Sequence, residues 1–287
     1  MFVTNSRITN DMRIETIAEQ LYFTTILIES QNDSGETGFG TGFLIDAVHE
    51  SRHAMFLATN KHVVAGGKTG TLRFHLKAAG IPCQGQGYKL KVPCFAQYWV
   101  KHPDPTVDIA IMSMSLILEH AKKDGKELFY RSIPESLLPS NDELEKLDAM
   151  EEVVFIGYPS GIFDEAHYLP VARRGMTASP IQVNHNGERR FLIDAAIFGG
   201  SSGSPVFIFD KGGIHSKRGG GLVLGSRPSY FIGVVAAGYY QETTGRVIQQ
   251  PIPTITGPLV SIGQQMINLG IVYRADTVFE LAHSLMK

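Results

Sequence analysis

A hydroxyl, an imidazole and a carboxylate are the groups in this chain whose surroundings could do chemistry. Ser202 lies in Phe198-Gly-Gly-Ser-Ser-Gly-Ser-Pro205, a glycine-flanked turn that follows the hydrophobic run 191–197. Glycines at 199, 200 and 203 let the backbone turn its amide groups inward onto a bound oxygen. An exposed hydroxyl beside preorganised N–H donors is what acyl transfer needs. The turn by itself fits a flexible loop equally well. His62 follows the apolar run Met55-Phe-Leu-Ala and a short polar step, Thr59-Asn-Lys. Asp108 stands at the mouth of a second apolar run, 107–112. A carboxylate beside a buried strand needs a partner, and an imidazole N–H is a good one. Singly, His62 reads as a core or loop histidine and Asp108 as a turn cap. Together, the order His62, Asp108, Ser202 is one of the chain orders of the hydrolytic triad.

Such groups need a scaffold. Thirty glycines and fourteen prolines among 287 residues punctuate many short apolar runs, the pattern of strands joined by turns. At 43% hydrophobic residues the chain can bury a sizeable core, in one or two domains. Asn184-His-Asn-Gly187, between Ile181-Gln-Val and Arg189-Arg-Phe-Leu-Ile, predicts a hairpin. Residues 10–22 predict a short amphipathic helix feeding a first strand over 23–29. Residues 115–123 and 142–147 predict two helices joined by a loop with two prolines. Residues 277–286 predict a closing helix, with Val278, Leu281, Ala282 and Leu285 on one face.

Six segments in order carry a family resemblance. They are Gly38-Phe-Gly-Thr-Gly-Phe-Leu-Ile45, Thr59-Asn-Lys-His-Val-Val64, Asp108-Ile-Ala110, Val153-Val-Phe-Ile-Gly-Tyr-Pro-Ser-Gly161, Asp194-Ala-Ala-Ile-Phe-Gly-Gly-Ser-Ser-Gly-Ser-Pro205 and Leu269-Gly-Ile-Val-Tyr-Arg274. The chain resembles the trypsin-like serine peptidases of the chymotrypsin fold, and among them the bacterial Deg/high-temperature-requirement group. The match runs from about Ile26 to the end.

The resemblance implies an all-β fold of two packed six-stranded antiparallel barrels. Residues 24–112 would form the first and 151–274 the second. A helical segment (1–23), an enlarged inter-barrel connection (113–150) and a C-terminal helix (275–287) would complete the chain. It implies a serine endopeptidase with His62, Asp108 and Ser202 as triad and the amides of Gly200 and Ser202 as oxyanion hole. It places Ala196 at the base of the substrate pocket, with Ala236, Ala237 and Gly238 on one wall and Gly270 and Ile271 on the other. With no acidic residue at that base, small or medium apolar residues are expected on the acyl side of the cut.

Ser201 departs from the family's Asn or Asp before the nucleophile, and Ser204 from a Gly after it. The glutamyl-specific branch of the fold uses a pocket histidine where this chain has Val235, so glutamate specificity is not supported. Deg-type enzymes usually carry a PDZ domain after the peptidase, whereas this chain stops at the closing helix. Control through conformation, a regulatory protein partner or oligomerisation is one expectation, with the loop 160–168 as a candidate device, and a constitutively active enzyme fits equally well. A peptidase-fold binding module whose triad is kept inactive fits the same residues. An α/β-hydrolase esterase would need the order Ser, Asp, His and alternating βα units.

Composition narrows the partners. A net charge of −2 gives no global field for nucleic acid. Lys211, Lys217 and Arg218 cluster in a glycine-rich stretch that reads as a solvated loop. No run of about 20 apolar residues offers a membrane span. The N-terminus lacks the basic patch and apolar core of a signal peptide. Two cysteines, Cys83 and Cys94, without a CxxC pair, cannot make a zinc site alone; they leave one disulfide open, while reduced thiols fit a cytosolic protein. The expectation is a cytoplasmic protein without cofactor or metal, acting on a protein or peptide substrate.

Overall fold

Apolar runs over residues 25–134 pair into one sheet. The computed structural model describes residues 14–209, 213–217, 221–225, 228–247 and 259–287. Helix α1 (Ile17–Leu21) leads in from a capping box, in which the Thr16 hydroxyl accepts from Glu19 N and Glu19 caps the Thr16 amide. It is shorter than the predicted helix, whose residues 10–13 lie outside the described residues.

The strands that follow are β1 (Thr25–Gln31), β2 (Thr37–His49), β3 (Arg52–Thr59), β4 (Thr69–Ala78), β5 (Ile81–Pro93), β6 (Val100–Lys101), β7 (Ala110–Ser113), β8 (Leu128–Phe129) and β9 (Ile133–Pro134). Their order is β5-β4-β1-β2-β3-β7-β6, with β8 added to β4 and β9 to β2. The six strands of four residues or more are the expected six. Three two-residue strands extend them, and β9 alone runs parallel to its neighbour. The inter-barrel segment therefore returns to the first sheet through β8 and β9.

The second half contains β10 (Glu152–Gly157), β11 (Val171–Thr177), β12 (Arg190–Asp194), β13 (Pro205–Ile208), β14 (Gly213–Lys217), β15 (Gly221–Gly225), β16 (Tyr230–Val247) and β17 (Leu259–Arg274). Six of these close into a barrel, β10-β11-β12-β17-β16-β13, while β14 and β15 pair with each other. The molecule has the all-β architecture of the chymotrypsin-like double barrel.

Helices hold the edges. One-turn helix α2 (Lys61–Val64) follows β3, α3 (Met114–Lys123) and α4 (Asn141–Lys146) lie in the connection, and α5 (Asp276–Ser284) closes the chain. Phe43, Ile45 and Phe56 of the first sheet, Phe207 and Phe231 of the barrel, and Val278, Phe279 and Leu281 of α5 share one buried cluster. The halves and the last helix therefore bury their apolar surface together, the dominant favourable term in folding.

The hairpin expected around Asn184 does not form. Residues 181–183 are turn, and β12 pairs instead with β11, through Met176 and Thr177. Pro180 has no N–H to give a ladder, and Gln182 Nε2 donates to Leu144 O and Leu147 O, which draws the segment towards α4. Of the basic cluster, Lys211 and Arg218 lie outside the described residues. Among the described residues no helix is long and apolar enough to cross a membrane.

Candidate active site

His62 owes its place to the turn of helix that ends β3. Asn60, extended at φ −82°, begins that turn. Its side-chain amide donates to Asp108 O at 2.8 Å, tying the two segments together. Gly40 of β2 lies beneath the turn, where a Cβ would come within 2.3 Å of Val63 Cγ1. Asp108 precedes β7, which pairs with β3 from Thr59 to Phe56. The register brings the carboxylate to α2: Asp108 Oδ1 accepts from His62 N (3.2 Å), and Asp108 Oδ2 lies 2.6 Å from His62 Nδ1. One carboxylate thus grips both backbone and ring and fixes the imidazole's orientation. Lys61 Nζ donates to Asp104 O (2.8 Å). Its partial burial lowers its pKa, against the raising effect of Asp108 and Asp104.

Ser202 comes from the opposite half, in the turn between β12 and β13. Ser201 N donates to Phe198 O and Ser204 N to Ser201 O, both at 3.0 Å. Two glycines make this possible. Gly200 has φ +82° and Gly203 φ +88°, and a Cβ on Gly203 would fall 1.8 Å from Thr41 O. Gly199 O is held by Ser160 N at 2.5 Å. Across a planar trans peptide the N–H points away from the carbonyl, so the Gly200 amide faces the other side. Neither the Gly200 nor the Ser202 N–H donates to an acceptor among the described residues. The structure therefore brings together His62 and Asp108, and leaves the Gly200 and Ser202 amides free of any acceptor among the described residues. It directs Ser202 Oγ to Ala236 O at 2.8 Å, rather than to the imidazole.

The residues expected to wall a substrate pocket lie where β16 pairs with β17: Gly238 faces Gly270 and Ala237 faces Ile271. Ala236 is buried at the head of this stretch. A side chain the sequence reading did not single out lies between the glycines. A Cβ on Gly270 would be 2.6 Å from Ile197 Cγ1, and one on Gly238 3.3 Å from Ile197 Cβ. Tyr240 Oη donates to Ile197 O at 3.0 Å. Ala196 O accepts from Arg173 Nη1 at 2.5 Å, and the same guanidinium lies 5.0 Å over the exposed Phe198 ring. Partial burial holds the Arg173 pKa below its usual value.

Thr41 and Thr59 were also missed. Thr59 Oγ1 donates to Thr41 O (2.7 Å), and Thr41 N to Ser202 O (2.8 Å). Thr41 stands in the Gly-Thr-Gly step of the early strand and Thr59 heads the Thr-Asn-Lys-His segment, but neither residue type marks a bond between the halves. Ser201, the departure before the nucleophile, buries its Oγ with no partner among the described residues. Those residues also hold no cluster able to bind a metal ion.

Residues 40–213 match the family described as the trypsin-like peptidase domain. No curated protein matches the chain. Among solved structures the fold is similar to that of the HtrA-type protease AlgW with tripeptide, at 15% identity and a TM-score of 0.50. The alignment covers 94% of this chain and 62% of that one, so this chain spans under two-thirds of AlgW's length. Deg5 aligns at 19% identity over 76% of this chain and 81% of its own, with a TM-score of 0.43. The thermostable serine protease AL20 from an extremophilic microorganism aligns at 12% identity over 92% and 98%, with a TM-score of 0.44. With the family match reaching from β2 through the Ser202 turn and past β13, well over half of the chain, this protein belongs to the trypsin-like peptidase domain family.

Proposed function

We propose that the protein is a serine endopeptidase that cleaves protein or peptide substrates through an acyl-enzyme. The observation that supports it best is the Asp108 carboxylate engaging both the backbone and Nδ1 of His62, opposite a turn whose Gly200 and Ser202 amides have no described acceptor. In this reading Ser202 Oγ attacks the carbonyl and His62 takes its proton, then returns it to the leaving amine. Asp108 orients the ring and stabilises it when charged. The two amides stabilise the oxyanion by about 3 kcal/mol each.

The substrate pocket is proposed to take small or medium apolar residues, because Ile197 lies against both of its glycine walls. We extend the proposal to a cytoplasmic setting, in keeping with the unpaired thiols of Cys83 and Cys94. It also takes residues 24–112 and 151–274 as the two catalytic halves.

One observation favours a second reading, a latent or inactive peptidase-fold module that binds proteins. It is the Ser202 hydroxyl engaged with Ala236 O. Labelling with a fluorophosphonate probe separates the two. Stoichiometric labelling at Ser202 that is lost in Ser202→Ala and His62→Ala supports the peptidase. A wild-type protein that never labels supports the latent module. On a cleaved peptide, Ser202→Ala is expected to lower the rate by about six orders of magnitude.

A further inference from the structure

Thr41 is fully buried, and it comes from the half of the molecule that does not carry the nucleophile. Its hydroxyl donates to Gly200 O at 2.9 Å. It accepts from Tyr158 N at 3.0 Å and from Ser204 Oγ at 3.4 Å. One donor and two lone pairs are thereby all engaged, the full capacity of a threonine hydroxyl. Its backbone N–H holds Ser202 O at 2.8 Å, and its own carbonyl is held by Thr59.

These contacts sit around the two amides assigned to the oxyanion. The side chain grips the carbonyl of Gly200, the first donor residue, and the main chain grips the carbonyl of Ser202, the second. The Tyr158 amide it accepts from lies two residues before Ser160, whose N–H holds Gly199 O. The carbonyls of Gly199 and Gly200 are thus tied, directly and through residues 158–160, to a single buried hydroxyl. A methyl group in its place would leave Gly200 O and Tyr158 N–H without partners in a dry site. The turn would then gain freedom to rotate its peptides and move the donors off the oxyanion.

We infer that Thr41 is a positioning residue for the oxyanion hole, acting through its hydroxyl on Gly200 and on residues 158–160. The inference rests on the peptidase reading above and adds to it a first-barrel residue that sets how well the second-barrel turn stabilises charge. It predicts a loss in the chemical step with little change in binding.

The test uses the full chain and a fluorophosphonate probe, whose phosphoryl oxygen would occupy the oxyanion position. The maximal labelling rate (kinact) and the half-saturating concentration (KI) are measured separately for each variant. Thr41→Val is expected to lower kinact by about tenfold to a hundredfold, in line with the loss of a donor's alignment, with KI within about twofold. Thr41→Ser, which keeps the hydroxyl, is expected to restore kinact. Thr24→Val removes a comparably buried bond away from the site, from Thr24 Oγ1 to Leu21 O, and should lower the melting temperature while kinact is kept. If Thr41→Val does not fold, Thr41→Ala against Thr41→Ser gives the same comparison.

Wild-type kinact in the Val or Ala variant overturns the inference. So does a loss in Thr41→Ser as deep as in Thr41→Val, or an equal loss in Thr24→Val, since the Thr41 hydroxyl would then not be the cause. A wild-type protein that does not label fails earlier, at the peptidase reading, and takes this inference with it.

Discussion

Under the proposed mechanism Ser202 Oγ, which donates to Ala236 O at 2.8 Å, must leave that carbonyl before it can meet the imidazole. Asp108 accepts from His62 N and faces Nδ1 at 2.6 Å, which in the proposed mechanism leaves the far ring nitrogen for Ser202. Replacing the carboxylate by an amide keeps the shape but presents an NH2 group where an acceptor is needed. Asp108→Asn is therefore expected to slow peptide hydrolysis by about four orders of magnitude, read as kcat on a fluorogenic peptide. At Ile197 the expected change is in selectivity. Ile197→Ala removes the side chain lying against Gly238 and Gly270. A peptide library should then shift from Ala and Val towards Leu and Met on the acyl side, each accommodated methylene being worth about 1–3 kcal/mol. An unchanged profile would remove Ile197 from the pocket.

At the scale of elements, the turn that carries Ser202 depends on a close approach between halves. Gly203, at φ +88°, has Thr41 O where its Cβ would be. Gly203→Ala must adopt a backbone that L side chains resist and must also push β2 away. A loss of more than about 2 kcal/mol is expected in urea denaturation, together with loss of probe labelling. A variant of wild-type stability would mean the turn relaxes without disturbing β2. The segment between β11 and β12 shows the opposite case, where local signal and tertiary demand disagree. Asn184-His-Asn-Gly187 does turn, as a single 3-10 turn over His185–Gly187. Pro180 and the pull of Gln182 towards α4 leave no strand on its near side.

For the whole molecule, α5 ties the two halves. Phe279 packs 6.3 Å from Phe231 of the barrel, and Phe231 lies 5.4 Å from Phe43 of the first sheet, centroid to centroid. Phe279→Ala is expected to cost about 3–5 kcal/mol, with both halves unfolding in one lowered transition by calorimetry. Two separated transitions would show that the halves are stable without α5.

Stability should also depend on pH through His75, which is 6% exposed and packs edge-on against Phe23. Burial lowers its pKa from 6.5 to about 4. The unfolded chain therefore binds a proton between pH 6.5 and 4 that the folded chain refuses. Stability is full above pH 6.5 and falls as pH drops towards 4, by up to about 3 kcal/mol from this residue. His75→Gln should flatten that part of the profile, measured as urea midpoints at pH 7 and pH 4.5. An equally steep profile in the variant would assign the loss to other groups.

The order His62, Asp108, Ser202, the glycines of the nucleophile turn and the alternation of apolar runs with turn residues are local properties, and they were legible in the chain alone. Helices α3, α4 and α5 were legible for the same reason, since caps and 3.6-residue spacing act within a few residues. Thr41, Thr59, Arg173 and Ile197 carry no such local mark. A buried threonine in a strand looks like any β-prone residue until the other half of the molecule puts Gly200 O and Ser202 O beside it. The small strands β8 and β9 and the direction of the Ser202 hydroxyl belong to the same class. Sequence determined which groups could react and in what architecture. Only the tertiary structure decided which carbonyls and amides from distant segments hold them, because those partners are set by packing between strands far apart in the chain.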